Sequence, residues 1–130
     1  MQGQGILRDR LPSDSPVVRR TLEELTGLFA LPENWDSYGA QPIRRDVIEY
    51  AAEWIPSLLQ SGTPKPAVIP TAQGGVQLEW HRKGVDVEIY IESPDTIRFL
   101  AEDLTAGESV EAPLTGNVQL LANWVSKISD

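Results

Sequence analysis

Residues 76–92 carry the pattern that most constrains this chain. Val76-Gln77-Leu78-Glu79-Trp80-His81 alternates apolar and polar side chains, Arg82-Lys83-Gly84 interrupts it, and Val85-Asp86-Val87-Glu88-Ile89-Tyr90-Ile91-Glu92 resumes it. A period of two is the mark of a strand with one buried face, and two such runs around a tight turn predict a β-hairpin. A two-residue turn at Lys83-Gly84 sets the register. It places Trp80 opposite Val87, Leu78 opposite Ile89 and Val76 opposite Ile91 on a core face. His81 then opposes Asp86, Glu79 opposes Glu88 and Gln77 opposes Tyr90 on the other. A slip of one residue would move every apolar side chain to the wrong side.

The rest of the chain is organised around that hairpin. Residues 1–14 are polar and glycine-bearing and read as a mobile leader, and residues 15–130 read as a single domain. Ser15-Pro16 has the chemistry of a helix start, and Val18, Leu22, Leu25 and Phe29 recur at helical spacing up to Pro32. A second helix is expected over about Ile43 to Leu59, with Val47, Ala51, Trp54 and Leu58 on its apolar stripe and a kink or stop at Pro56. Ala67-Val68-Ile69 reads as a short strand and Thr96 to Leu100 as another. Residues 102–113 read as an acidic, turn-rich connection. The last stretch reads as a helix with Thr115 as its N-cap and Val118, Leu121, Val125 and Ile128 on one face. The expected fold class is α+β: an antiparallel sheet of three to four strands packed on one face by two N-terminal helices and a C-terminal helix, in the order α-α-β-β-β-β-α.

Composition narrows the chemistry. The 130 residues contain no cysteine and a single histidine, His81. Disulfides, thiolate metal sites, iron–sulfur clusters and a cysteine nucleophile are thereby excluded, as is any metal site needing two histidines of this chain. Nineteen Asp and Glu against eleven Lys and Arg give a net charge of −8. Such a chain is repelled by phosphate backbones, so no direct nucleic-acid binding is expected, and a partner with a basic surface is the natural complement. No apolar run is long enough for a membrane span, and Met1 to Arg10 lack the apolar core of a secretory signal. A cytoplasmic protein without membrane contact is expected.

Acidity is concentrated where the hairpin is. Between residues 86 and 111 stand eight acidic side chains and one basic one, Arg98. Glu79 opposite Glu88 is a like-charge cross-strand pair, mildly unfavourable unless something compensates it. A solvated sheet face screened by water accounts for it. So does a docking site for a basic partner, and so does a divalent cation held by Glu79, Glu88 and Asp86 with His81. A general acid/base pair is the least supported reading, because no nucleophile, oxyanion donor or glycine cradle accompanies these carboxylates.

Two loops stand apart from the periodic segments. Glu33 to Pro42 sets Trp35 and Tyr38 among Asn, Asp, Ser and Gly; these aromatics either pin the loop or line a pocket or a contact surface. Gly74-Gly75 precedes a strand rather than a helix, which suits a tight turn and not a phosphate cradle. Asn34-Trp35-Asp36-Ser37-Tyr38-Gly39-Ala40 with Pro42 resembles the NWDxYGAxP signature of a group of small bacterial proteins. Pro70-Thr71 followed by Gly74-Gly75-Val76-Gln77-Leu78-Glu79-Trp80 is similar to the second signature of the same group. The resemblance covers about residues 28–92. It implies a bacterial or phage source and a cytosolic protein, and it brings no catalytic residue with it.

Three functional expectations follow. The first is a non-enzymatic acidic protein-binding module, antitoxin- or immunity-like or an accessory subunit of a defence system. Its partner-binding residues are Glu79, Glu88, Asp86, Tyr90, Trp35 and Tyr38, with no cofactor. The second is a metal-assisted hydrolase using Glu79, His81, Asp86 and Glu88. The third is a small-ligand sensor with its pocket between the 33–42 loop and the sheet. An exposed edge near Thr96 to Leu100 or Ala67 to Ile69 also allows a homodimer.

Overall fold

The computed structural model describes residues 15–60 and 62–130; the leader expected over residues 1–14 lies outside them. Helix α1 spans Pro16–Gly27, followed by one 3-10 turn, Leu28–Ala30; α2 spans Arg45–Leu58. Five strands follow: β1 Ala67–Pro70, β2 Val76–Arg82, β3 Val85–Ser93, β4 Thr96–Asp103 and β5 Glu108–Pro113. Helix α3 spans Val118–Ile128. The sheet is antiparallel throughout and its spatial order is the chain order, β1-β2-β3-β4-β5.

The fold is therefore α+β, with five strands rather than three to four. The strand missing from the expectation is β5. Its Val110 and Ala112 are only half-buried and alternate with Glu108, Ser109 and Glu111, so its apolar signal is faint. Its pairing with β4 is set up by the preceding turn. Asp103 Oδ1 accepts the backbone N–H of Thr105 and of Ala106, each at 3.0 Å, and Gly107 takes a positive φ of 74°. Because β5 covers β4, Thr96 to Leu100 is not a sheet edge; the edges are β1 and β5.

The hairpin has the register its turn dictates. Trp80 pairs with Val87, Leu78 with Ile89, Glu79 with Glu88 and His81 with Asp86. Lys83 and Gly84 both take positive φ, 58° and 73°, the geometry of a type I′ turn whose twist matches that of the flanking strands.

Ser15 caps α1 by accepting the Val17 N–H at 3.2 Å, with Pro16 in the first turn. Val18, Thr21 and Leu25 are its buried residues, while Phe29 lies half outside, under the Arg45 guanidinium at 5.0 Å. Pro56 is accommodated inside α2, which ends two residues later. The N-cap position of α3 is Asn117 rather than Thr115. The Asn117 side chain bonds back to the Pro113 carbonyl instead of capping the helix; Val118 is exposed, and Trp124 joins Leu121, Val125 and Ile128 in the core.

The core is one cluster. Val76, Leu78, Val87, Ile89, Ile91 and Phe99 from one face of the sheet meet Val47, Ala51 and Ile55 of α2, Leu121 and Ile128 of α3, and Val18 and Leu25 of α1. The indole N–H of Trp80 donates to the Pro64 carbonyl at 2.7 Å, tying the connection between α2 and β1 to the sheet. Arg82 reaches the Ile128 carbonyl at 3.1 Å and the Asp130 carboxylate at 2.7 Å, fastening the C-terminus to the hairpin tip. Arg82 is also what holds the Asp130 carboxyl below its ordinary pKa.

Candidate functional site

With the apolar side chains of β2, β3 and β4 turned to the core, the alternate residues form a second face, half-buried or exposed. Its rows follow from the register. Glu79, Glu88, Leu100 and Glu111 stand side by side across β2 to β5. Asp86 and Glu102 are neighbours in the next row with His81, and Gln77, Tyr90 and Arg98 in the row on the other side. Five carboxylates thus share a face on which, among the described residues, the cations are Arg98 and, when protonated, His81. Arg98 is already paired with Glu111 at 3.0 Å.

The centre of the face is an ordered polar network. His81 Nδ1 lies 2.8 Å from Asp86 Oδ1, and its Nε2 lies 3.4 Å from Glu79 Oε2. The Gln77 amide donates to Glu79, and the Tyr90 hydroxyl donates to Glu88 at 2.5 Å. The hydrogen bond to Asp86, with a smaller contribution from Glu79, raises the His81 pKa above 6.5. Donation to Glu88, aided by burial, pushes Tyr90 up to about 12. The Glu79 side chain is 17% exposed, so part of this charge is held away from water.

Glu79, Glu88, Asp86 and Tyr90 therefore come together as the hairpin register requires. Glu102, Arg98 and Glu111 belong to the same face and were not among the expected site residues. Their signal was the alternation of β4, Ile97, Phe99 and Ala101 inward with Arg98, Leu100 and Glu102 outward, and the pairing of Leu100 with Glu111. The neighbouring acids Asp103 and Glu108 sit elsewhere. Both meet Lys127 at 3.6 Å.

Donor atoms of Glu79, His81 and Glu88 lie within 4.8 Å of one another, a possible set for a divalent ion. Asp86 is not part of that set. It holds the opposite nitrogen of the imidazole, the place of a group that orients a ligand.

The aromatic loop behaves differently from the sheet. Asn34 Oδ1 accepts the Gly39 N–H at 2.7 Å, and Asp36 Oδ1 accepts from Tyr38 at 2.8 Å and Ala40 at 3.0 Å. Asn34 and Ser37 take positive φ, 61° and 68°, so the loop is tightly wound. Trp35 packs against the core and donates its indole N–H to the Gln41 carbonyl at 2.8 Å. Tyr38 is 93% exposed at the tip. Of the two aromatics, one pins the loop and the other is displayed.

The two motif loops are bonded to each other. The Gln41 N–H donates to the Ala72 carbonyl at 2.9 Å, and the Arg44 N–H to the Gly74 carbonyl at 2.8 Å. A Cβ on Gly75 would stand 2.7 Å from the Ile91 carbonyl oxygen, so only glycine permits this approach. Beside this junction is a polar cleft of about 700 Å³, lined by Arg44, Thr71, Gln77, Tyr90, Glu92 and Thr96 among others. A second, more apolar cleft of about 480 Å³ lies between α2 and α3, lined by Trp54, Leu58, Val118, Leu121 and Val125 with a polar rim.

No family model matches the chain, and no curated protein or solved structure is significantly similar to it. None of the described helices is long and apolar enough to cross a membrane.

Proposed function

We propose that this protein is a non-enzymatic binding module whose open sheet face docks a partner protein with a basic surface. One observation carries the reading: Glu79, Glu88, Asp86, Glu102 and Glu111 share a face on which Arg98 is the only permanent cation among the described residues. An unbalanced field of this kind steers a cationic partner and selects against acidic ones. Tyr90 on the same face supplies apolar contact area and a phenol, features common at interface centres. Tyr38, displayed on a stiff loop, is a second anchor for the same partner. The role fits an antitoxin- or immunity-like subunit, or an accessory subunit of a bacterial defence system acting in the cytoplasm. A tagged pull-down from the native host at low and high salt, read by mass spectrometry, tests it. The expected outcome is one dominant basic protein retained at low salt and released at high salt. Recovery of the protein alone at both salts contradicts it.

The convergence of Glu79, His81 and Glu88 favours a second reading, a site for Mg²⁺ or Mn²⁺ with Asp86 orienting the imidazole. A rise in Tm on adding Mn²⁺, abolished by Glu88→Gln, supports that alternative; an unchanged Tm removes it.

A further inference from the structure

We propose that the polar cleft beside the two motif loops binds a neutral, polyhydroxylated ligand, a mono- or disaccharide. The cleft lies where β2 begins and β3 ends, between Arg44, the 70–75 loop and the side chains of Gln77, Tyr90 and Glu92. Of these residues only Tyr90 belongs to the docking surface described above, so the inference is independent of that reading. The volume of about 700 Å³ falls within the roughly 300–1,000 Å³ of small-molecule sites. The walls are fixed before any ligand arrives. The Thr71 N–H donates to the Gly75 carbonyl and the Gly74 N–H to the Thr71 carbonyl, both at 3.0 Å, and the Gly75 N–H donates to the Thr71 hydroxyl at 2.9 Å. These amides are spent inside the loop rather than offered to an anion. Arg44 donates from Nε and Nη2 to Asp46 at 3.0 and 2.6 Å, which orients its fork and offsets its charge. The Gln77 amide donates to Glu79 and the Tyr90 hydroxyl to Glu88, so both side chains are held in place. A site ordered in advance loses little entropy when it is filled.

The groups left over after these bonds decide the ligand class. Arg44 keeps donors beyond those given to Asp46, and the Thr71 hydroxyl, which only accepts from Gly75, keeps its own hydrogen to donate. The Gln77 amide oxygen and the Glu92 carboxylate are acceptors on the same cleft. Ser93 and Thr96 add hydroxyls that can do either. Arg44 and Glu92 are the charged side chains of the lining, one of each sign, so the cleft has no net charge with which to select an ion. An anion could use only the donors and an ammonium only the acceptors. A hydroxyl donates and accepts from one atom, so a ligand with several adjacent hydroxyls satisfies both sets without bringing an unpaired charge out of water. Tyr90 supplies the remaining element. Its hydroxyl is engaged with Glu88, and its ring gives apolar area against the C–H face of a sugar ring.

The test is a titration of the isotopically labelled protein, followed by NMR, with glucose, galactose, N-acetylglucosamine, maltose and cellobiose in turn. Glutamate and putrescine serve as charged controls. At least one sugar is expected to give saturable shifts centred on residues 71, 77, 90 and 92, and the charged controls none there. Glu92 is exposed, so Glu92→Ala leaves the rest of the spectrum in place, and it is expected to weaken sugar binding about tenfold. Absence of saturable shifts with every sugar overturns the proposal. Tighter binding of glutamate or putrescine at the same residues overturns it in favour of a site for an ion. Sugar shifts confined to residues 118–129, which line the more apolar cleft, overturn the placement. A sugar affinity unchanged by Glu92→Ala overturns the pairing of donors and acceptors on which the ligand class rests. All of these outcomes leave the salt-dependent capture of a basic partner untouched, so the two readings fail separately.

Discussion

Single side chains decide how the open face is charged. His81 is the one group there that titrates near neutrality, and its pKa is raised first by the hydrogen bond to Asp86. A raised folded-state pKa means that the His81–Asp86 contact stabilises fully below the unfolded value near 6.5. That contribution is lost as pH rises through the folded value. Replacing Asp86 by Asn is expected to bring the His81 pKa down, measurable by imidazole NMR titration; an unmoved midpoint contradicts the assigned cause. Backbone space is equally local. Gly75→Ala is expected to destabilise by about 1–3 kcal/mol in thermal or denaturant unfolding, because the new methyl would meet the Ile91 carbonyl. Gly27→Ala is expected to stabilise by about 0.5–1 kcal/mol, since Gly27 is helical and nothing lies within 4 Å of the added carbon. The reverse ranking of these two variants would contradict the packing described for the 70–75 loop.

Among the elements, the hairpin was the most legible because three independent signals agreed. Alternation in both strands, a Lys-Gly turn and the pairing of apolar with apolar residues all specify one register, and the structure has it. The first helix was legible for the same reason: a Ser-Pro start and an apolar spacing. Ser15→Ala is expected to cost about 0.5–2 kcal/mol, read as a lowered Tm, because it removes the acceptor for the Val17 N–H. Strand β5 was not legible. Its buried positions are Val110 and Ala112, both partial, and charged residues alternate with them on an edge that faces water on its far side. The start of α3 was misplaced for a different reason. Thr115 has the side chain of a cap, but the N-cap position is Asn117, whose amide turns to the Pro113 carbonyl; Leu121, Val125 and Ile128 are buried as expected, Trp124 joins them and Val118 does not. Local hydrogen bonds of that kind leave no periodic trace in a sequence. The candidate face divides along the same line. Glu79, Glu88, Asp86 and Tyr90 follow from the hairpin register, whereas Glu111 joins them only through the β5 pairing.

For the molecule as a whole, the layers separate two tasks. Inward-facing side chains of the sheet join residues of the three described helices in one core cluster; the alternate side chains of the strands include five carboxylates and, among the described residues, few cations. With five carboxylates against Arg98, this one face carries about half of the chain's net charge of −8. Electrostatic docking on such a surface is strongly screened above the salt concentration of cells, where the Debye length falls below about 8 Å. The most direct measurement is the salt dependence of affinity for the isolated partner, compared between the native protein and the Glu79→Lys/Glu88→Lys variant, with circular dichroism confirming that both are folded. Docking through the sheet face predicts weaker binding by the variant at low salt and a flatter dependence of log Kd on log salt. An affinity and a slope unchanged by reversing both charges would contradict the account and place the interface elsewhere on the molecule.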